Sequence, residues 1–235
     1  MDAESYFQLG KSYDQKKEET KVIEYYEKAA NLGHAESQYR LGSYYFERKE
    51  GALSRKYFEM AGKQNHSQSL LIDGFMYEHG LCGLGKDIKK AFSLYQKSAN
   101  LGNAMAINNV GAFYEHGWVV EKDEKKGFDL YQTVSTIIPL AARNLSACYM
   151  KGTGTKKNEI KAIFYLESAH EHNDPIASFR LGELYQEGFG SLTKDDKKAF
   201  VLYKKSAEMN YEPAYEKLAQ CYEIGFGTNK NVMPC

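Results

Sequence analysis

The sequence predicts an all-α solenoid, a right-handed superhelix built from short helix–turn–helix repeats. A motif of the form Leu-Gly-x-x-Tyr, or a close variant, occurs seven times in the 235 residues. Its tyrosines stand at positions 13, 45, 77, 114, 149, 185 and 222, so consecutive copies are 32 to 37 residues apart. Self-similarity at such a period is the signature of stacked supersecondary units. No stretch alternates apolar and polar residues over a useful length, so no sheet is predicted.

A second motif lies between the tyrosine copies and forms the other half of each unit. It reads YYEKAANLG over residues 25–33 and LYQKSANLG over residues 94–102. Both halves are rich in helix formers, and their apolar residues are spaced three and four apart. A glycine such as Gly80 follows the first half, and an Asp or Asn such as Asp87 precedes the second. These residues typically end and begin helices, so each unit is predicted to hold two helices, helix A and helix B.

The motifs divide residues 1–235 into a single array of seven units. The predicted units are residues 3–34, 35–66, 67–103, 104–138, 139–174, 175–211 and 212–235. The seventh contains helix A only, which predicts about thirteen helices. A single terminal helix would leave an apolar face uncovered. We therefore expect either a fragment of a longer array or self-association through the open C-terminal repeat.

The combined pattern resembles the Sel1-like repeat, a relative of the tetratricopeptide repeat, over essentially the whole chain. The third unit carries it almost complete, from the glycine-rich segment at residues 80–91 to the second motif at residues 94–102. Two departures stand out. The first two units lack the glycine-rich loop, and residues 136–138 read Thr-Ile-Ile where the first and third units have Asn-Leu-Gly. The array is expected to bend differently at the second of these departures.

The resemblance implies a function that periodicity alone does not reveal. It implies a non-enzymatic scaffold or adaptor that binds another protein, or a peptide segment, in the concave groove of the array. Two alternatives from other classes remain open: a regulatory repeat region of a larger enzyme, and a hydrolase-like or β-lactam-binding member of the family. The paired cysteines of the β-lactam-binding relatives are absent here.

Composition excludes several other classes of protein. Lys plus Arg and Asp plus Glu number 31 each, so the zero net charge gives no reason to expect nucleic acid or an anionic membrane as partner. No apolar run approaches the roughly 20 residues of a membrane span, and the polar N-terminal residues do not form a signal peptide. The four cysteines are far apart, with no CxxC pair. We expect four reduced thiols and a cytoplasmic location, or the host cytosol for a secreted bacterial effector.

Several segments imitate catalytic or metal-binding motifs. Residues 80–87 approach a phosphate-binding loop, but a helix precedes them, and Asp87 replaces the hydroxyl that would hold magnesium. His170 and His172 diverge by about 200° on a helix, so a metal site is not predicted. Cys148 precedes a repeat tyrosine, where a packed small side chain is expected. We therefore predict no enzyme activity, no cofactor and no metal.

Two unusual residues leave alternatives open. Asp73 replaces the repeat leucine on the packed face of helix A, where a lone carboxylate is costly. It is interpreted as accepting a hydrogen bond from a neighbouring tyrosine, as being locally exposed, or as a functional carboxylate. Trp118, the only tryptophan, either packs on the next unit or stands out as a contact aromatic.

The segment Tyr-Glu-His-Gly occurs at residues 77–80 and again at 114–117. Tyr and Gly belong to the repeat pattern, so the pair between them is expected to face outward from the end of helix A. His79 and His116 would lie about 10 Å apart in stacked helices. That separation is too large for shared metal ligation.

A helical wheel of helix A predicts the binding face. With the repeat leucine at 0° and 100° per residue, the repeat tyrosine falls on the packed side at 40°. The opposite side corresponds, by resemblance to tetratricopeptide arrays, to the concave groove. The predicted partner-binding residues are Phe7, Tyr39, Phe46, Leu71, Phe75, Glu78, His79, Met105, Asn108, Glu115, His116, Arg143, Met150, Phe179, Glu183 and Glu187.

Four apolar members of this set, Phe46, Leu71, Phe75 and Met105, are expected to form a patch across units two to four. Large apolar side chains at positions that should contact water indicate a binding surface. The two Glu-His pairs would supply polar contacts at its edge. The alternative is that curvature of the array buries these side chains against the next helix A.

Overall fold

The computed structural model describes residues 1–228 and contains thirteen α-helices, with no strand in that part of the chain. The all-α solenoid of paired helices predicted from the sequence is confirmed. Odd-numbered helices are helix A of each unit, and even-numbered helices are helix B. The helices are α1 Ala3–Gln15, α2 Glu19–Asn31, α3 Ala35–Glu47, α4 Gly51–Lys63, α5 Ser67–His79, α6 Ile88–Asn100, α7 Ala104–His116, α8 Glu124–Val134, α9 Pro139–Lys151, α10 Glu159–Glu171, α11 Pro175–Glu187, α12 Asp196–Glu208 and α13 Glu212–Ile224.

The chain forms two compact parts. Among the described residues, the N-terminal part comprises residues 1–113 with 118–120, and the C-terminal part comprises residues 114–117 and 121–228. Within the N-terminal part, α1 packs on α2, α3 on α4 and α5 on α6. Within the C-terminal part, α9 packs on α10 and α11 on α12. In these five units, helix A is therefore covered on one side by the helix B that follows it.

Several helices begin at an Asp or Asn cap, and several end at a glycine, as the sequence indicates. The side chain of Asp87 accepts a hydrogen bond from the backbone N–H of Lys90 at 2.9 Å, and Asn158 caps α10 in the same way. Gly80 and Gly152 end α5 and α9 in the left-handed conformation, with φ of 68° and 80°. Residues 80–87 are thus the connection between helix A and helix B of the third unit, with Asp87 used as a helix cap.

The glycine of the repeat motif lets the two helices of a unit approach closely. A Cβ placed on Gly74 would lie 2.8 Å from the ring of Tyr95, and one on Gly182 would lie 2.6 Å from the ring of Tyr203. An aromatic ring of helix B therefore packs directly on the backbone of helix A. The fifth unit departs from this rule, because Ser146 replaces the glycine and Leu166 replaces the aromatic residue.

The repeat tyrosine stacks on a tyrosine of helix B. The two rings are nearly parallel, with centroids 5.3–5.7 Å apart. These stacked pairs are Tyr13–Tyr25, Tyr45–Tyr57 and Tyr149–Tyr165. The repeat position of helix A carries tyrosine in all seven units, and three of the helices B supply a second tyrosine that stacks on it, which explains part of the count of 19 in the chain.

Candidate interaction surface

The sixteen predicted binding residues divide by burial. The structure leaves five exposed: Phe46, Phe75, His79, His116 and Glu187. It half-buries seven: Tyr39, Glu78, Met105, Glu115, Arg143, Met150 and Glu183. It buries four: Phe7, Leu71, Asn108 and Phe179.

The buried residues share one register, two positions before the repeat leucine. Phe7 packs with its ring centroid 5.8 Å from that of Tyr26 and 4.4 Å from that of His34. His34 is the cap of the next helix A. This position is therefore covered by both the helix B of its own unit and the start of the following unit. A helical wheel of one isolated helix does not include that second neighbour.

The apolar patch expected in the N-terminal part is only partly exposed. Phe46 and Phe75 expose 40% and 43% of their surface. Met105 is half-buried, and Leu71 is buried. The ring of His79 lies against that of Phe75, with centroids 4.3 Å apart. The exposed apolar surface of helix A in this part is thus centred on two phenylalanines rather than four side chains.

The glutamate of each Tyr-Glu-His-Gly segment accepts a hydrogen bond from a buried tyrosine. The hydroxyl of Tyr95 donates to Glu78 Oε2 at 2.6 Å, and that of Tyr131 donates to Glu115 Oε2 at 2.7 Å. Burial, together with this carboxylate acceptor, raises the pKa of Tyr95. The expectation that both residues of the pair face outward is therefore wrong for the glutamates. His79 is exposed, and its Nε2 lies 4.0 Å from Glu78 Oε2.

In five of the six units that have both helices, the same position follows a pattern that sequence reasoning missed. The first unit is the exception, because Asp14 stands at this position and the buried hydroxyl of Tyr26 has no hydrogen-bond partner within the described residues. Gln186 accepts the hydrogen bond of Tyr203 at 2.7 Å. Where helix B has no hydroxyl, the corresponding residue of helix A is apolar. These matched pairs are Phe46 with Phe58 and Met150 with Leu166. The signal was present in the sequence as a correlation between two registers of the repeat.

Two histidines that the sequence analysis did not single out link consecutive units. Nδ1 of His34 accepts the backbone N–H of Ser37 at 3.1 Å, which caps α3. Its Nε2 lies 3.2 Å from a carboxylate oxygen of Glu4, on the preceding helix A. His66 makes the equivalent contacts with Ser69 and Glu36. The histidine that caps a helix A therefore also connects that helix to the helix A of the preceding unit.

In the C-terminal part, Arg143, one of the predicted binding residues, contacts the cap residue of the next helix A in the same way. Nε of Arg143 donates to a carboxylate oxygen of Asp174 at 3.2 Å. The other carboxylate oxygen of Asp174 accepts from the backbone N–H of Ala177 and caps α11. Arg143 therefore links α9 to the cap of α11, in addition to the partner-binding role predicted from the sequence.

A cleft of about 500 Å³ lies between α9 and α11, the helices A of the fifth and sixth units. Four of the predicted binding residues line it: Arg143, Met150, Glu183 and Glu187. Leu166 lies among the lining residues, at the position where other units carry an aromatic ring. The smaller side chain explains why space opens in this unit. Ser146, another lining residue, has a buried hydroxyl without a hydrogen-bond partner among the described residues.

Trp118 packs on a neighbouring aromatic ring and is also partly exposed to solvent. Its ring meets that of Phe113 edge to face at 5.5 Å, yet 46% of the residue is exposed. With Val119 it borders a cavity of about 410 Å³ that His79 also lines. Val119 has a φ of 56°, which is strained for a β-branched residue. The corresponding positions in units five to seven carry glycine.

Asp73 is buried, with 8% of its surface exposed, and no hydrogen bond reaches its carboxylate within the described residues. The tyrosine donor suggested by the sequence is not found. The hydroxyl of Tyr77, on the same helix, accepts a hydrogen bond from Nζ of Lys90 at 2.6 Å. Burial raises the pKa of Asp73, and the nearby Lys90 opposes that rise. Asp73 borders a small cavity of about 190 Å³ with Arg55 and Lys90.

The cysteines and histidines considered as candidate catalytic or metal-binding residues are free thiols or make hydrogen bonds within the fold. Cys82, Cys148 and Cys221 are free thiols, and Cys235 lies outside the described residues. Burial raises the pKa of the Cys148 thiol to about 12, which keeps it protonated and unreactive at neutral pH. His170 hydrogen-bonds through Nδ1 to the hydroxyl of Ser178 at 2.8 Å. Within residues 1–228, no cluster of three His, Cys, Asp or Glu side chains is arranged to hold a metal.

Among the helices of residues 1–228, none combines the length and the apolar character that a transmembrane segment requires.

Comparison with solved structures identifies proteins of the same architecture. One is c5321 of uropathogenic Escherichia coli, a protective antigen displaying an SLR fold, which is 27% identical with a TM-score of 0.74. That match covers 97% of this chain and 51% of the other, so this chain spans about half the length of the antigen. A Sel1 repeat protein from Oxalobacter formigenes is 24% identical with a TM-score of 0.83, over 93% of this chain and 91% of the other. The immunity protein Pa5087 from Pseudomonas aeruginosa is 21% identical with a TM-score of 0.57, over 77% and 67%.

The family assignment rests on the repeats themselves. No curated protein matches the chain. The Sel1 repeat profile matches residues 3–34, 35–66, 68–103, 104–133, 139–174, 175–211 and 213–232. Proteins of this kind are commonly protein-interaction scaffolds and generally non-enzymatic. Seven matches along the chain, together with the helix pairs seen in the structure, show that it belongs to the Sel1 repeat family.

Proposed function

We propose that this chain is a non-enzymatic scaffold that binds a segment of another protein on the exposed face of its helices A. The observation that carries the proposal is the cleft of about 500 Å³ between α9 and α11. Concave sites of this size, with apolar lining and a few polar groups, accommodate side chains of a ligand. Four residues that the helical wheel had selected from the sequence line this cleft.

The lining of the cleft fits a peptide that combines apolar and charged side chains. Met150 and Leu166 supply apolar surface, whereas Lys151, Arg180 and Glu183 supply charges. NH1 of Arg180 already pairs with Glu183 at 2.9 Å. We infer that an apolar side chain of the partner enters the cleft while these charges orient the rest of the segment.

The N-terminal part offers a second contact on the same side of its helices A. Phe46 and Phe75 are exposed there, and His79 lies against Phe75. Aromatic residues of this kind commonly act as anchors in protein interfaces. The proposal therefore retains Tyr39, Phe46, Phe75, Glu78, His79, Met105, Glu115, His116, Arg143, Met150, Glu183 and Glu187 as partner-binding residues. It assigns the four buried residues of the original set to packing.

Two variants test the proposal because each changes a surface position that the repeat tolerates. Phe75→Ala removes one exposed anchor. Ala147→Phe fills the cleft at the register where the third unit naturally carries Phe75. Both should weaken capture of the native partner at least about tenfold, while thermal unfolding stays within a few degrees of the wild type.

The capture experiment uses affinity purification from native lysate followed by titration of the purified partner. Leu53→Ala is the matched control, since Leu53 is an exposed apolar residue on helix B. Unchanged capture by both variants, or an equal loss in the control, would show that the partner does not bind the helix A face. The cytoplasmic location expected from the sequence stays a prediction.

A further inference from the structure

The eighth residue of helix B is aromatic in five of the six units that have both helices. In the third unit this residue, Tyr95, lies against Gly74 of its own helix A. The same ring meets that of Phe113, on the next helix A, with centroids 6.0 Å apart. In the sixth unit, Tyr203 likewise shares a core cluster with Cys221 of the next helix A. The ring therefore fills the space between one helix A and the next.

The fifth unit lacks this ring, and its cleft between α9 and α11 lies where the ring would be. Leu166 stands at the eighth position of α10, and Ser146 stands at the glycine register of α9. Leu184 lies three residues after the repeat leucine of α11, as Phe113 lies three residues after the repeat valine of α7. Leu166, Ser146 and Leu184 all line the cleft. The cleft is thus bounded by the three positions that surround or supply the ring in the third unit.

The floor of the cleft carries a hydroxyl that the fold does not use. Only 1% of Ser146 is exposed, and its Oγ has no hydrogen-bond partner within the described residues. A buried hydroxyl without a partner is unfavourable, and a ligand group that hydrogen-bonds to it removes that cost. The floor therefore favours a side chain with an apolar body and a polar tip.

The rim of the cleft carries two charges of opposite sign that are unpaired among the described residues. Lys151 is the last residue of α9 and Glu187 the last residue of α11, and both are exposed. Neither has an ion-pair partner in that part of the chain, whereas Arg143, Arg180 and Glu183 already make ion pairs. Lys151 and Glu187 occupy the same repeat register, so they stand at the same height on either side of the cleft.

We propose that the cleft binds a tyrosine side chain of the partner protein, flanked by an acidic residue on the α9 side and a basic residue on the α11 side. This inference rests on the proposed function and specifies the segment that binds. The ring of the partner takes the place that a ring of helix B takes in the other units. The missing internal ring thus defines the chemistry of the occupant.

The direction of entry explains why the occupant is tyrosine. The ring of Tyr95 comes from helix B and points its hydroxyl toward Glu78, on the helix A face. A ring that enters from the helix A face points the opposite way, so its hydroxyl reaches the floor at Ser146. Both hydroxyls can donate and accept, so they satisfy each other.

The neighbours of that tyrosine match the rim. The two residues on either side of a central residue are about 7 Å apart in an extended peptide, and packed helix axes are about 10 Å apart. Their side chains therefore reach both rims. An acidic neighbour pairs with Lys151 and a basic neighbour with Glu187, which is the complementary arrangement.

Synthetic peptides test the occupant on the wild-type chain by heteronuclear NMR titration. The probes are acetyl-Ala-Glu-Tyr-Lys-Ala-amide and acetyl-Ala-Lys-Tyr-Glu-Ala-amide, which cover both directions of the peptide across the cleft. The tighter of the two should bind with a dissociation constant below about 1 mM and shift the backbone signals of Ser146 and Ala147. Phenylalanine in place of the tyrosine should weaken binding at least about threefold, and leucine at least about tenfold. Absence of binding by both orders, or equal binding of the leucine peptide, would overturn the proposal.

Variants of the chain separate the hydroxyl, the ring and the charges. Ser146→Ala should lower the affinity for the tyrosine peptide to that for the phenylalanine peptide and leave the latter unchanged. Ser146→Gly combined with Leu166→Phe restores the arrangement of the second unit, where Phe58 lies against Gly42. This double variant should lose all peptide binding and unfold at or above the wild-type temperature. A preference for tyrosine that survives Ser146→Ala, or wild-type affinity in the double variant, would contradict the assignment.

The charges have their own control. Lys151→Glu should weaken binding of the charged tyrosine peptide, but not of the same peptide with glutamine on both sides of the tyrosine. The loss should fade as salt screens the exposed charges. An equal loss for both peptides would contradict the pairing with Lys151.

The tyrosine assignment and the proposed function can fail separately. If the wild type ignores the tyrosine peptides but Ala147→Phe still abolishes capture of the native partner, the tyrosine assignment is wrong and the scaffold function stands. If the peptides bind but neither Ala147→Phe nor Phe75→Ala affects capture, the cleft binds tyrosine while the native partner binds another surface.

Discussion

Tyr95 and Glu78, which share a hydrogen bond, should be strongly coupled in their contributions to the free energy of unfolding. The Tyr95 ring is fully buried, and its hydroxyl donates to Glu78 at 2.6 Å. Glu78→Met leaves that buried hydroxyl without an acceptor, which costs about 1–3 kcal/mol of the free energy of unfolding. Tyr95→Phe should cost less, because the side chain of Glu78 is 24% exposed and regains water. The double variant removes both polar groups and should cost less than the sum of the two single changes.

We expect a coupling of about 1–2 kcal/mol from the double-mutant cycle, within the range found for residues in contact. The chain supplies two precedents for the all-apolar version, in Phe46 with Phe58 and Met150 with Leu166. Urea unfolding followed by circular dichroism measures the four free energies. Additive single effects, within about 0.5 kcal/mol, would refute the claim that these two positions are matched.

Two further substitutions test the packing of the third unit. Asp73→Leu installs the usual repeat residue and should raise the free energy of unfolding by about 1–3 kcal/mol at neutral pH. Burial raises the pKa of Asp73 above 3.8, so the folded state binds more protons than the unfolded state. The destabilisation by the buried Asp73 carboxylate is fully present above its folded-state pKa and fades as the pH falls toward 3.8. The extra stability of Asp73→Leu over the wild type should therefore shrink in acid. A Leu variant that is less stable at neutral pH would show that attraction by Lys90 dominates. Gly74→Ala should cost about 1–3 kcal/mol, because its Cβ would lie 2.8 Å from the ring of Tyr95. Gly85→Ala, with nothing within 4 Å, is the control for thermal unfolding, and equal stability of the two variants would contradict the close approach.

The repeat period and the helix-end residues determined the all-α architecture, because both are local properties of the chain. A cap such as Asp87 or Asn158 bonds to a backbone group three residues away. A glycine such as Gly80 relieves strain at its own position. Neither depends on which unit lies beside it, so the helices could be predicted from the sequence.

The binding face was less predictable because it depends on neighbours. The wheel of helix A assumed one packed side, which held for Phe75 but not for Phe7. The ring of Phe7 is covered by His34, a residue of the following unit. The role of Glu78 was hidden in the same way, since its partner Tyr95 is 17 residues away on another helix.

The sequence alone thus determined that helices form, where they end, and that they pair in repeats. Only the tertiary structure decided which side chains each unit covers on the next, and therefore which apolar residues remain exposed. It also decided that a cleft opens between α9 and α11, where Ser146 and Leu166 replace the glycine and aromatic ring of other units. The physical reason is that periodicity reports the packing within one unit, whereas exposure depends on contacts between units.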